Sequence, residues 1–320
     1  MSVSPQSLED LIRASSRALV IGVGGGGDVV GALAAARFLE FCGLEFVLGG
    51  LSWERSVFDP IPGPRMLSEV ENVRVLHQYA WMANAQTRTT TGVYFAESRM
   101  AAVHGEEILL IDIDGGVHGV VEGIEVATKE FNVDLLVGLD VGGDSLAAGD
   151  EPGLRSPLAD SIMLAAFAEL EKRGRRTIWG VFGYGSDGEL SVAEIELALS
   201  KLAAAGGLLG CWSLTPRTSQ ELEEVIKTVP TEASAIPVRC FRGAWGESKI
   251  RGGQRSVKLT PLTALTFFVS TTKLFHTLSR PAQAVSHSSS LEEANAALHA
   301  IGIKTELDLE RERYRDTHPC

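Results

Sequence analysis

Aspartates recur beside glycines at four places along the chain: Asp28 in GGGGDVVG, Asp112 and Asp114 in DIDGGVHG, Asp140 and Asp144 in DVGGDSLA, and Asp187 in GYGSDGELS. Carboxylates so arranged suit two kinds of chemistry. Together they can hold a hard divalent cation such as Mg²⁺, which takes oxygen ligands from one or two carboxylates along with substrate phosphates and water. Singly, a carboxylate whose pKa is raised by its neighbours can move a proton as general acid or base. Asp112 and Asp114 stand two apart, so an extended backbone sends both the same way. We therefore expect Asp28, Asp112, Asp114 and Asp140 as ligands of a divalent cation. Asp144, on the long loop VGGDSLAAGDEP, is the expected general base, with Asp112, Asp114 and His118 as further catalytic candidates. Each aspartate also has a structural alternative, capping the next helix or bracing a turn, and that competition is strongest at Asp28 and Asp187.

Around these acids stand residues suited to holding a ligand. Gly24, Gly25, Gly26, Gly27, Gly142 and Gly143 allow close approach to the backbone, and a helix N-terminus behind them offers free N–H groups to an anion. Ser145, Ser156 and Asp187 add polar contacts, and Glu54 and Arg55, with Asp59, lie in LSWERSVFDPIPGPR, which reads as a rim, a lid or a rigid connection. Glu97, Arg99 and Asp160 are additional polar candidates, Asp160 doubling as a first-turn acid that favours a helix dipole. RGGQR, residues 251–255, suits either a phosphate-reading turn or a solvated hairpin tip.

Gly22, Gly24 and Gly27 satisfy G-x-G-x-x-G. The ribose-binding acid expected about 20 residues on is missing, since Gly49 and Gly50 stand there. Asp28 would also repel a pyrophosphate at that helix start, so NAD and FAD are disfavoured. Neither a G-x-S-x-G elbow, a P-loop nor an H-E-x-x-H pair occurs, which removes weight from covalent acyl transfer, Walker-type ATP hydrolysis and a histidine-rich metal site.

These loops need elements to hold them. Unbroken apolar runs at Ala18–Val23, Glu45–Leu48, Ile108–Ile111, Asp134–Leu139 and Thr177–Phe182 predict buried parallel strands. Helical patterns fall between them at Val29–Phe41, Val117–Phe131, Leu158–Arg173 and Val192–Ala205, and Ser191 with Glu194 and Ser290 with Glu293 fit the S-x-x-E capping box. The alternation predicts an α/β fold: a doubly wound, mostly parallel, Rossmann-like sheet over residues 1–214, with a smaller α+β extension over 215–320. Within that extension we expect short strands with Gly turns from Ile236 to Val269, a surface linker from Thr277 to Ser290, a helix at Leu291–Ile301, and a charged tail that is solvated or contacts another subunit.

Composition narrows the function classes. With 320 residues, 41 acidic and 29 basic, the formal net charge is −12, which argues against nucleic acid and anionic membrane as partners. No apolar run approaches the roughly 18 residues of a membrane span, and the N-terminus lacks an apolar signal core. Four cysteines without C-x-x-C spacing, at 42, 211, 240 and 320, suit a reducing cytoplasm. Base rates for soluble assemblies make a homodimer plausible, and nothing in the sequence adds to them.

Taken together, VIGVGGGGDVVGALAAARFLE, WERSVFDPIPGPR, DIDGG, GLDVGGDSLA, SPLADSIMLA and FGYGSDGEL resemble the domain of unknown function 1152 family, from about Arg17 into the tail. The resemblance implies a shared α/β fold and brings no activity. GGGGDVVGALAAA and GLDVGGDSLAAG are also similar to loops of the D-glutamate cyclase family, and LDVGGDSLA to the aspartate-rich loop of nucleoside hydrolases, though its aspartates are spaced differently. The reading that follows is an enzyme of small-molecule metabolism. It would use a divalent metal to hydrolyse, or transfer a group on, a phosphorylated or polyhydroxylated metabolite such as a nucleotide or sugar phosphate. Its alternatives are a metal-independent cyclase or lyase acting on an amino acid or carboxylic acid, and a metabolite-binding protein without turnover.

Overall fold

Apolar residues at consecutive positions of a strand point to opposite faces, so an unbroken run can be buried only if both faces of its sheet are covered. That condition is met. The computed structural model describes residues 7–318, and Cys320 lies outside them. Within the described residues the chain runs α1 (Leu8–Arg13), β1 (Arg17–Gly22), α2 (Asp28–Phe41), β2 (Glu45–Leu51), β3 (Val70–His77), β4 (Ala80–Thr89), α3 (Ala96–His104), β5 (Ile108–Ile111), α4 (Gly116–Glu130), β6 (Leu135–Val141), α5 (Pro157–Lys172) and β7 (Thr177–Phe182). It continues through α6 (Val192–Ala204), β8 (Leu208–Ser213), α7 (Pro216–Thr228), α8 (Glu232–Phe241), β9 (Gly246–Ile250), β10 (Arg255–Leu259), β11 (Leu265–Val269), α9 (Thr271–Thr277), α10 (Arg280–Val285), α11 (Leu291–Ala300) and α12 (Glu306–Thr317).

Nine strands form one mixed sheet in the order β3-β4-β5-β2-β1-β6-β7-β11-β8, and β9 and β10 pair as a separate antiparallel hairpin. The central five, β5-β2-β1-β6-β7, are parallel. Renumbered among themselves they run 3-2-1-4-5, the doubly wound order whose direction reverses between β1 and β6. Antiparallel strands flank both edges: β4 and β3 on one side, β11 and β8 on the other. Along β1, Leu19 and Ile21 enter one core with α4 and α5, while Ala18 and Val20 enter the opposite core with α2, α7 and α8.

The expected α/β architecture and its five parallel strands are present, and the Ser191–Glu194 capping box is complete. Ser290 likewise caps α11 through Glu293 N, but the Glu293 carboxylate reaches Ser289 N instead of closing the box. Other parts differ. The short strands expected from Ile236 to Val269 do not begin there, since Ile236 to Phe241 lie in α8, which holds Pro237 internally and is capped by Thr231. The expected surface linker at 277–290 contains α10, whose Pro281 sits in the first turn, where no backbone donor is lost, and packs inward with Ala282 and Val285. Strand β11 is an inner strand of the main sheet, between β7 and β8. Strands β3, β4 and β8 had no counterpart in the apolar runs.

Gly31 of α2 sets the approach of that helix to β6, since a Cβ there would overlap Val141 Cγ2 and crowd Phe182 and Leu139. Gly31→Val should overpack this contact and cost about 1–3 kcal/mol. Urea unfolding should show a lower midpoint at unchanged slope, and an unshifted midpoint would mean the helix can move away freely.

Candidate functional site

Where the strand order reverses, the loops leaving β1 and β6 diverge and open a crevice beyond the strand ends. The first loop turns beneath the segment after β2. Gly25 and Gly26 have φ of +73° and +53°, and Gly26 N donates to Trp53 O at 2.9 Å. Asp28, the first residue of α2, accepts from Gly24 N at 3.0 Å and lies 3.4 Å from Val141 N, so it ties this loop to β6. Its carboxyl therefore has the bracing role weighed against function, although it also faces the cavity.

The second loop is braced by Asp140. Its Oδ1 accepts from Gly143 N at 3.3 Å, and its Oδ2 accepts from Ser145 N at 3.1 Å and Ser145 Oγ at 2.5 Å. Trp179 Nε1 donates to Ser145 Oγ in turn, at 2.9 Å, which places Ser145 behind the site wall. Gly142 has φ +126°, and any Cβ there would overlap the Asp187 carboxylate of the third loop. Gly185 N donates to Gly142 O at 2.7 Å and lashes the second and third loops together.

Glu189 and Glu306 complete the wall by satisfying the entrance to α5. Glu189 accepts from Arg155 N at 2.6 Å, Ser156 N at 2.9 Å, Ser156 Oγ at 2.6 Å and Arg255 Nη1 at 2.9 Å. Glu306, the first residue of α12, accepts from Leu158 N and Ala159 N at 2.9 Å each, capping α5 from 148 residues away. The charged tail is thus a wall of the crevice. Further along α12, Glu310 accepts from Trp53 Nε1 at 3.0 Å and Gly63 N at 2.9 Å, and Arg313 donates to Ser56 Oγ at 2.9 Å.

These elements enclose a cavity of about 600 Å³ lined by acids, arginines and a few apolar groups. Two sets of carboxylates meet at its wall: Asp144 and Asp160, which line it, with Asp140, which does not, and Asp144 with Asp187 and Glu189, which all line it. Within each set one oxygen per residue lies within 4.8 Å of the others, which permits joint coordination of a metal ion. Asp144 belongs to both. The Asp160 Oδ1 and both oxygens of Asp187 are buried with no hydrogen-bond partner. Burial drives the Asp144, Asp160 and Asp187 carboxyls well above the usual carboxylate range, and neighbouring acids raise each further. Asp28 is pushed up to about 7 by burial, with Arg55 opposing, and burial takes Glu306 to about 7 as well. Burial works against the charge on Arg55, yet Asp28, Glu189 and Asp144 hold it above the ordinary arginine value.

Of the expected site residues, Gly24, Gly27, Asp28, Arg55, Asp144, Ser156 and Asp187 line the cavity. Gly25 and Gly26 lie beneath Trp53 and Arg55. Asp112, Asp114 and His118 are elsewhere. Asp112 and Asp114 therefore do not join Asp28 and Asp140 as expected, because the DIDGG loop follows β5, which β2 separates from β1. There Asp112 accepts from Asp114 N at 2.8 Å, burial raises Asp112 to about 7, and His118 Nδ1 lies 3.4 Å from Ser289 Oγ. Asp59 pairs with Arg65 Nε at 2.8 Å and stiffens its loop from inside. Glu189, Arg155, Glu306, Glu310 and Arg313 were not anticipated. Glu189 stood in the quoted GYGSDGELS stretch, but nothing local marks a glutamate whose partners lie 33 and 66 residues away.

Outside the cavity wall, Glu54 accepts from Ala96 N and is pushed up to about 7 by burial. Glu97, expected to face a substrate, is enclosed against Gly50 with neither carboxylate oxygen partnered, and burial, then Glu54, raises it well above its ordinary value. Raised acids bind more protons folded than unfolded between the two pKa values. Their stabilisation is complete below about pH 4 and is lost as pH climbs through the folded values near 7 and above. The metal-free chain should therefore melt a few degrees lower at pH 8 than at pH 5, and Glu97→Gln should flatten part of that fall. Calorimetry at matched ionic strength checks both, and a slope unchanged in Glu97→Gln would show that Glu97 is ionised without cost.

No helix among the described residues is long and apolar enough to cross a membrane. No curated protein and no solved structure matches the chain. A match to the family described as "Protein of unknown function (DUF1152)" spans residues 19–314 and takes in every residue that lines the crevice, from Gly24 to Arg313. The chain belongs to the DUF1152 family.

Proposed function

We propose that the chain is a divalent-metal-dependent enzyme of small-molecule metabolism that hydrolyses, or transfers a group on, a phosphorylated or polyhydroxylated metabolite. The observation that carries this reading is Asp144 shared between two carboxylate sets, with Asp160 and Asp187 oxygens buried and unpartnered beside it. Unpaired carboxylates in a low-dielectric crevice are costly unless protonated or matched by positive charge, and a hard cation supplies that charge. Asp140, Asp144 and Asp160 would hold Mg²⁺ or Mn²⁺ at the switch point, and a bound ion would polarise a leaving group or activate water.

The remaining roles fall to this chain's own side chains. Asp144 becomes a ligand in this reading, and the proton-moving role expected of it passes to Asp187, whose raised carboxyl lines the cavity. Ser156 Oγ, donating to Glu189 at 2.6 Å, keeps that acid oriented along the wall. Gly24 and Gly27 line the cavity and let the Asp28 carboxylate and Thr231 pack against their backbone.

A thermal-unfolding screen of the intact chain against Mg²⁺, Mn²⁺ and Ca²⁺, with and without nucleotides and sugar phosphates, tests the reading. Saturation at about 100 times the dissociation constant adds roughly 2.7 kcal/mol, a shift of a few degrees. We expect a cation-dependent shift that EDTA reverses and Asp144→Asn abolishes. Asp187→Asn should retain the shift and lower turnover about 10²–10⁴-fold. A shift with an amino acid or carboxylic acid that survives EDTA would instead establish metal-independent cyclase or lyase chemistry, and tight binding without product would establish a sensor.

A further inference from the structure

Among the carboxylates, three arginines from two separate segments line the cavity: Arg55 from the loop after β2, and Arg251 and Arg255 from the β9–β10 hairpin. Arg255 is already employed, donating from Nη1 to Asp187 O at 3.0 Å and to Glu189 at 2.9 Å. Arg55 and Arg251 are not. Among the described residues neither guanidinium makes a hydrogen bond or an ion pair, although both line the cavity and stand half-buried.

The hairpin tip holds Arg251 in an unusual backbone conformation, with φ +53°, followed by Gly252 at +63° and Gly253 at +87°. Arg251 N donates to Glu232 Oε2 at 2.9 Å and fixes that turn against α8. A non-glycine residue in the left-handed region carries strain, which surrounding structure must hold in place. Burial and the like charges of Arg55 and Arg255 pull the Arg251 guanidinium below the ordinary arginine value, with Glu232 and Asp187 opposing. Beside them, Val57 and Phe58 form an apolar rim, 76% and 40% exposed.

We infer that the cavity takes a metabolite bearing a multiply charged phosphoryl group, a phosphomonoester or a diphosphate, seated between Arg55 and Arg251, with the rest of the molecule laid over Val57 and Phe58. This rests on the metal-dependent reading above and names its substrate class. Guanidinium forks match phosphate oxygens in pairs. Two unpaired forks next to a candidate cation site call for more than one negative charge, which favours a phosphoryl group over a lone carboxylate. Arg255 would steer the hairpin and keep Asp187 beside the bound group.

Titration calorimetry on the full chain separates this inference from the metal assignment. Mn²⁺ alone is titrated first, then inorganic phosphate, pyrophosphate and citrate, each with and without Mn²⁺. Wild type should bind pyrophosphate more tightly than citrate. Arg251→Gln and Arg55→Gln should each weaken pyrophosphate at least about tenfold, Arg251→Gln should leave Mn²⁺ affinity unchanged because Arg251 stands apart from the Asp140, Asp144 and Asp160 set, and Arg251→Lys should recover part of the loss. Absence of Mn²⁺ binding with pyrophosphate binding intact would overturn the metal reading and leave the arginine site standing. Mn²⁺ binding with no pyrophosphate binding, citrate binding more tightly, or an Arg251→Gln variant of wild-type affinity would overturn the inference itself.

Discussion

Repulsion among carboxylates gathered at one end of a buried sheet constrains everything around the crevice. Asp28, Asp140, Asp144, Asp160, Asp187, Glu189 and Glu306 are all nearly inaccessible to solvent, so water screens them poorly. The chain answers in different ways at different acids. Glu189 and Glu306 spend their oxygens on backbone N–H groups at the entrance to α5. Asp28 and Asp140 do the same for the loops that carry them. That leaves Asp144, Asp160 and Asp187 as the acids whose charge the backbone does not absorb, and Arg55 and Arg255 as the cations set nearest to them.

The same division explains why the loops are rigid enough to form a site. A bracing acid at the end of β6 and a lash from Gly185 to Gly142 fix the second and third loops relative to each other, while Trp53 O holds the first. Positive φ at Gly142 and Gly143 lets the chain double back without a side chain between it and Asp187. Preorganisation of this kind places acids on strand ends and a helix start, where positions are set by the sheet.

The parallel core was legible because its strands are unbroken apolar runs, whereas their order is set by pairing across the sheet and is given only by the structure. The flanking strands were not, since β3 reads VENVRVLH and presents polar residues on an exposed surface. Helix α10 was hidden by Ser and Pro, residues that serve equally in linkers and in first turns. In the site, Asp28, Asp144, Ser156, Asp187 and Arg55 could be found because each stands beside glycines, at a strand end or in a polar loop. Asp112 and Asp114 carry the same local signature, and only strand order separates them from the crevice. Glu306 and Arg313 had no such signature: a charged helix reads as solvated until its partners, Leu158 and Ser56, are known.

The cap that Glu306 places on α5 also imposes an order on assembly. During synthesis β1, β6 and their loops leave the ribosome long before α12, so Leu158 N and Ala159 N lack their carboxylate partner while 148 further residues are added. Until then Trp53 Nε1 and Gly63 N also wait for Glu310. The sheet can therefore be complete while the crevice is still open on one side, and arrival of α12 closes it. A chain released before that point would lack both the Glu306 cap and Leu307, which belongs to the apolar core shared with α5.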